Sequence, residues 1–141
     1  MILPALAGAV AAALLVGFGN ARGGIRLLPL YALGLVGAAL VYVGFAAFSG
    51  GQERLPLEAL GLSLYTLVAV LGARRWPALL AAGWAGHALW DLLLHPASGS
   101  AYVPGWYPAA CAGFDVVVGA YLGWLLWRRT PAATRTAGAA R

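Results

Sequence analysis

Five long apolar segments, separated by short joints rich in glycine, proline and arginine, make up most of the chain. Each is near the ~20 residues that a helix needs to cross a ~30 Å hydrocarbon layer. Because backbone polar groups in lipid must be satisfied internally, separate spans of this kind are helices. The predicted helices cover about 2–19, 27–49, 56–72, 76–95 and 107–127. The pattern therefore predicts an all-α, polytopic membrane bundle of one domain, 1–127, with a disordered tail at 128–141.

The positive charges of the chain indicate its orientation. All nine are arginines. If five helices cross the membrane in alternate directions, only Arg54 lies on one side of it. The other eight share the opposite side: Arg22, Arg26, Arg74, Arg75, Arg128, Arg129, Arg135 and Arg141. By the positive-inside rule, the N-terminus lies outside and the C-terminus in the cytoplasm. We expect a multi-pass protein of a bacterial inner membrane, whose first helix is retained because no positive charge precedes its apolar run.

Composition agrees with this assignment and narrows the partners. Hydrophobic residues make up 62% of the 141 and charged residues 9%, whereas soluble domains have about half and a quarter. The net charge of +5 does not predict a nucleic-acid partner, because the arginines flank apolar segments and form no basic groove. The single cysteine excludes an intrachain disulfide. Membrane lipid is the expected environment, and the small volume that five helices enclose is compatible with a homodimer.

The ionisable residues concentrate in the predicted outer half, most clearly in the stretch HALWDLLLHP. There His87, Asp91 and His95 recur every fourth residue, so they span roughly 80° of one helix face. That face is expected to point into the bundle, since ionisable groups facing lipid are costly. Asp91 is the hardest of the three to explain as a structural residue, because it lies near a helix C-terminus, where an anion is disfavoured.

Two acids on other helices are expected near this face. Asp115 lies roughly 12 Å below the outer end of its helix, the depth expected of His87. Glu58 enters its helix near the level of His95. Glu58 could also serve only as a first-turn acid, and His95 only as a C-terminal cation. Five further residues are expected to form the pocket wall and not to react: Tyr42, Tyr65, Trp84, Trp90 and Cys111.

Two motifs resemble a small bacterial integral-membrane family of unknown function. They are GWAGHALWDLLLH and YVPGWYPAACAGFDVVVGAYL, in the last third of the chain. The matching positions are His87, Trp90, Asp91, His95, Val103, Pro104, Cys111 and Asp115, and Glu58 matches an acid in the family's middle helix. The resemblance implies a five-helix membrane protein and no particular activity.

Three functions remain open on these residues. The first is a metal enzyme, with His87, Asp91 and Asp115 holding one divalent zinc, iron or manganese ion. A metal-activated water would hydrolyse a lipid or another apolar substrate. Asp91 and Asp115 would be the central catalytic groups, with His95 and Glu58 transferring protons nearer the outer surface. Because His87 and His95 are roughly 12 Å apart along the helix, both are not expected on one ion.

The second hypothesis is a metal-free acid–base cyclase or isomerase of an isoprenoid-like substrate, in which a buried aspartic acid donates a proton. The third is a proton- or cation-handling transporter, or a non-enzymatic membrane protein. The transporter hypothesis is weakened by the inner half of the helices, which has almost no polar groups to continue a path.

Overall fold

The computed structural model describes residues 1–95 and 101–129, and these form helices and turns with no strand. The all-α prediction is therefore confirmed for this part of the chain. The α-helices are α1 (Ile2–Ala21), α2 (Leu28–Phe48), α3 (Leu55–Arg74), α4 (Pro77–Leu94) and α5 (Tyr107–Arg129). Short 3₁₀ turns at Gly24–Leu27 and Gln52–Arg54 lie in the first two joints.

The helix ends follow from local sequence chemistry. Pro29, Pro56 and Pro77 occupy the first two positions of α2, α3 and α4, where a proline loses no hydrogen bond because the first helical N–H groups have no partner. The observed ends lie within two residues of the predicted ones. His95 follows α4 as its C-cap and does not belong to the helix.

The predicted tail is only partly described. Arg128 and Arg129 are the last residues of α5 and not the beginning of a tail. The remainder, 130–141, lies outside the described residues, as does 96–100 in the long loop.

The bundle has an apolar surface and a partly polar interior, the reverse of a soluble protein. Large hydrophobic side chains are widely exposed, among them Leu14 at 71% and Leu33 at 68%. Five ionisable residues are at most 2% exposed: Glu58, His87, Asp91, His95 and Asp115. Four helical segments are long and apolar enough to cross a membrane: α1, α2, Gln52–Arg74 and α5. The fifth predicted span, α4, is outside this set because it carries His87 and Asp91.

The packing order differs from the chain order. Helix α1 packs on α5, α5 on α4, α4 on α3 and α3 on α2, whereas the backbones of α1 and α2 stay largely apart. Glycines bring α1 and α5 together, since a Cβ on Gly8 would collide with the carbonyl oxygen of Ala110. A Cβ on Gly113 would likewise collide with the carbonyl oxygen of Ala5. Such small residues allow membrane helices to approach backbone to backbone.

The two ends of the bundle are chemically different. The alternation of the helices puts six arginines at one end, here called the arginine end: Arg22, Arg26, Arg74, Arg75, Arg128 and Arg129. At this end the Tyr121 hydroxyl donates to Asn20 Oδ1 at 3.3 Å and links α5 to α1. Gly23 turns the first joint with a φ of +124°, a backbone conformation that favours glycine. The half of the bundle near the arginine end has an apolar core that includes Leu35, Leu80 and Leu122.

Candidate metal centre

Four potential metal ligands, here called the quartet, converge between α4 and α5: His87, Asp91, Cys111 and Asp115. Each helix contributes two of them four residues apart, so each pair shares one helix face. Gly119, one further turn along α5, lets the two helices approach closely. A Cβ there would lie 3.2 Å from the carbonyl oxygen of Ala81. The close helix contact brings these short side chains within reach of one another.

The donor atoms of the quartet are close enough to share one ion. One ligand atom from each residue can be chosen so that all four lie within 4.8 Å of one another. Ligand atoms of a tetrahedral zinc site are about 3.5 Å apart, given bond lengths near 2.0–2.3 Å. The four side chains would therefore have to close by about 1 Å to hold zinc. The quartet could hold a metal ion.

His87 is the centre of this arrangement. Its Nδ1 lies 2.7 Å from Asp115 Oδ2 and 3.5 Å from Asp91 Oδ1, so two carboxylates converge on one nitrogen. The tautomer with hydrogen on Nδ1 donates to Asp115, and one hydrogen cannot also serve Asp91. No described residue makes a hydrogen bond of ordinary length and angle to either oxygen of Asp91, to Asp115 Oδ1 or to His87 Nε2. Buried polar atoms normally have a partner, so these four atoms indicate that the site binds a water molecule or an ion.

The charge of the quartet points in the same direction. His87, Asp91 and Asp115 are fully buried, and one imidazolium cannot neutralise two carboxylates. The seven described arginines lie in joints and at helix ends. The missing positive charge in the quartet must therefore come from a proton or a bound cation, because unpaired buried charges are costly.

A second group of polar side chains, here called the Glu58 cluster, consists of Glu58, His95 and Tyr102. The Tyr102 hydroxyl donates to Glu58 Oε1 at 2.8 Å, and His95 Nε2 lies 3.2 Å from the same oxygen. Burial and the neighbouring Glu58 carboxylate raise the pKa of Tyr102 above its ordinary value. The phenol therefore stays protonated and able to donate at neutral pH. This cluster lies at the end of the bundle opposite the arginine end.

The predicted site residues form two groups. The structure places His87, Asp91 and Asp115 together, while His95 and Glu58 pair with each other. Tyr42 lies between the groups, since its ring stacks on His95 at 4.2 Å and lies 6.0 Å from the His87 ring.

The residues predicted to form a pocket wall also divide. A cavity of about 400 Å³ lies beside the quartet, and both Trp84 and Cys111 line it. Tyr42, Tyr65 and Trp90 are not among its lining residues. Tyr65 instead meets the His87 ring edge-on at 4.9 Å and the Trp90 ring at 5.9 Å.

Two participants were not recognised from the sequence. Cys111 was assigned to the pocket wall, although it precedes Asp115 by one helical turn and therefore shares its face. That spacing was the available signal. Tyr102 is not among the site residues predicted from the sequence. Its contact with Glu58 joins residues 44 positions apart, and no sequence spacing signals it.

Comparison with known proteins adds no assignment, because no family model, curated protein or solved structure matches the chain. The resemblance based on the segments around His87 and Asp115 therefore stays a prediction.

Proposed function

We propose that this chain is a multi-pass protein of a bacterial inner membrane that binds zinc and hydrolyses an ester or amide of an apolar substrate. The quartet is the observation that supports the proposal, because four ligand atoms converge within 4.8 Å. They do so in the interior of a bundle whose surface exposes many large hydrophobic side chains. In this proposal α4 is the fifth span, enclosed by α3 and α5, and the arginine end faces the cytoplasm.

The ligand chemistry favours zinc over the other two metals considered. A thiolate and an imidazole are preferred ligands of zinc, while manganese prefers sites of oxygen ligands alone. Iron would also accept these donors, so the metal itself has to be measured. Because the ligand set includes the Cys111 thiol, zinc is favoured over manganese.

The roles of the two aspartates follow from their contacts. Catalytic zinc sites usually have three protein ligands and one open position. We assign His87, Cys111 and Asp115 as ligands, since Asp115 already lies 2.7 Å from His87. Asp91 is assigned as the general base, because no described residue makes a hydrogen bond of ordinary length and angle to either of its oxygens. An activated water and a base within hydrogen-bond reach of it are the two groups that hydrolysis requires.

The reaction consumes one water for each ester or amide. A bound zinc ion would polarise the carbonyl and activate the water. Asp91 would take a proton from the water, the oxygen would bond to the acyl carbon, and the acyl C–O or C–N bond would break. The leaving alcohol or amine would take up a proton, and the acyl group would depart as a carboxylate. His95 and Glu58 would exchange the remaining proton with solvent. They are near the quartet, because the Tyr42 ring lies between His95 and His87.

Metal analysis of the full chain, purified in mild detergent, tests the site. We expect about one zinc per chain, retained through dialysis and lost in His87→Ala and Cys111→Ala. Glu58→Gln is the matched control, since it changes a buried carboxylate outside the quartet and should keep its zinc. A wild-type protein that takes up no divalent metal after zinc addition would overturn the proposal in favour of metal-free acid–base chemistry.

Hydrolysis is tested separately with fluorogenic esters and amides of increasing chain length. The zinc-loaded protein should release the fluorophore, a chelator should stop it, and added zinc should restore it. If the protein binds one zinc per chain but hydrolyses no long-chain substrate, the metal site is structural and the proposed enzymatic function is wrong.

A further inference from the structure

The cavity next to the quartet is a groove in the side of the bundle. It lies between α1 and α2, whose backbones stay largely apart, and Gly8, Leu15 and residues from Leu30 to Val41 line it. Leu30 is 50% and Val41 38% exposed, so the groove opens to the surface of the bundle. The lining of α2 extends over about 16 Å, roughly half of a ~30 Å hydrocarbon layer. Leu30 lies near the arginine end, whereas Tyr107 lies at the opposite end, so the lining of the groove includes residues from both halves of the bundle.

The floor of the groove includes part of the proposed metal site. Trp84, Cys111, Phe114 and Asp115 lie there, so two members of the quartet belong to both structures. The volume of about 400 Å³ falls within the ~300–1,000 Å³ typical of small-molecule sites. A molecule in the groove would lie along the quartet without needing another entrance.

Two residues of this floor each carry a buried polar atom that has no partner among the described residues, Trp84 Nε1 and Asp115 Oδ1. Trp84 presents its edge to α2, since its Cζ2 lies 3.2 Å from the position of a Cβ on Gly34. Cζ2 is on the side of the indole that carries the N–H. An indole N–H can only donate, so the missing partner is an acceptor such as a carbonyl oxygen.

A second groove serves as a comparison within the same molecule. It has a volume of about 520 Å³ and lies between α1, α4 and α5, with apolar lining residues such as Leu6, Leu92 and Val116. No member of the quartet lines it. Both grooves therefore have apolar walls. Only the groove beside the quartet includes Trp84, whose N–H can donate a hydrogen bond to a ligand.

We propose that the groove between α1 and α2 binds one acyl chain of a membrane lipid sideways, with the ester or amide carbonyl accepting a hydrogen bond from Trp84 Nε1. This inference rests on the proposed function, because that carbonyl is the bond to be hydrolysed. It adds the substrate class, an acylated membrane lipid, and the route of entry, lateral and not through the end of the bundle.

Photolabelling of the full chain in detergent tests the location. The probe is a lysophosphatidylcholine with a diazirine in its acyl chain, and labelled peptides are identified by mass spectrometry. Labels should fall on α1 and α2 around Leu15 and Gly37. Gly37→Leu should reduce them at least about tenfold. A Cβ at Gly37 meets nothing within 4 Å, so this variant should fill the groove without a clash.

Gly123→Leu is the matched control, because a Cβ at Gly123 also meets nothing within 4 Å and the residue does not line the groove. Its labelling should equal that of the wild type. Labels that fall mainly around Leu92 and Val116 would overturn the proposal, as would undiminished labelling of a folded Gly37→Leu variant. If Gly37→Leu fails to fold, the map of labels on the wild type decides.

The carbonyl contact is tested by comparing the ester probe with its ether analogue, which lacks the carbonyl. The wild type should favour the ester, and Trp84→Phe should remove that preference by weakening labelling with the ester alone. Equal labelling by both probes in the wild type would contradict the hydrogen bond.

Zinc measured in the same samples separates the two proposals. A protein labelled in the groove but without zinc would support lipid binding and refute the metal enzyme. A zinc protein without groove labelling would support the metal site and refute lateral lipid binding.

Discussion

His87 Nδ1 lies 2.7 Å from Asp115 Oδ2, although the two residues are 28 positions apart and on different helices. The pair joins α4 to α5 where both side chains are fully buried. Asp91 approaches the same nitrogen at 3.5 Å. A single imidazole facing two carboxylates in an apolar bundle is the feature from which the metal-site predictions derive.

Zinc should stabilise the folded chain. A ligand that binds only the native state at 100 times its dissociation constant adds about 2.7 kcal/mol, so the unfolding temperature in detergent should rise when zinc is added. Cys111→Ala should show a much smaller rise, since it lacks one donor. Equal shifts in both proteins would mean that zinc binds elsewhere.

The two aspartates should respond differently to neutral substitution. Asp115→Asn should lose zinc and activity together, because it removes a ligand. Asp91→Asn should keep zinc while the rate falls about 10²–10⁴-fold, the usual contribution of a general base. Metal content and turnover, measured on the same preparations, distinguish the roles. Loss of zinc from Asp91→Asn would make Asp91 a ligand and leave the base unassigned.

Tyr102→Phe should destabilise the fold by about 1–3 kcal/mol, because the buried Glu58 carboxylate loses a hydrogen-bond donor. Tyr121→Phe is the control, since it removes an exposed bond of 3.3 Å to Asn20 and should cost less than about 0.5 kcal/mol. Thermal unfolding in detergent measures both. As the pKa of Tyr102 is raised, its contribution should persist at neutral pH and decline only above about pH 10. Equal effects of the two variants would show that the Glu58 contact adds nothing.

Gly8→Val should destabilise the bundle by about 3 kcal/mol or more, because its Cβ collides with the α5 backbone, which cannot move aside cheaply. Gly17→Val makes the same change on the same helix where a Cβ meets nothing within 4 Å, and should have little effect. The difference in unfolding temperature between the two variants is the measurement. Similar values would mean that α1 does not depend on its close contact with α5.

Much of the architecture could be read from one-dimensional patterns. Lipid requires long apolar helices, so the lengths of the segments and their proline-marked starts were enough to place α1 to α5 within two residues. The four-residue spacing of His87 and Asp91 predicted a common face, and depth along the helices predicted that Asp115 would meet His87. These inferences succeeded because helix geometry is regular and depends little on the neighbours.

The tertiary structure alone decided the remaining contacts. Tyr102 joins Glu58 and His95 from a position 44 residues after Glu58, which no sequence spacing signals. Cys111 joins the quartet because Gly119 lets α5 approach α4 closely. The groove exists because α1 packs on α5 through Gly8 and Gly113 and leaves its neighbour in sequence, α2. Sequence periodicity determines which face of a helix a residue occupies, but which faces meet depends on side-chain fit between distant segments.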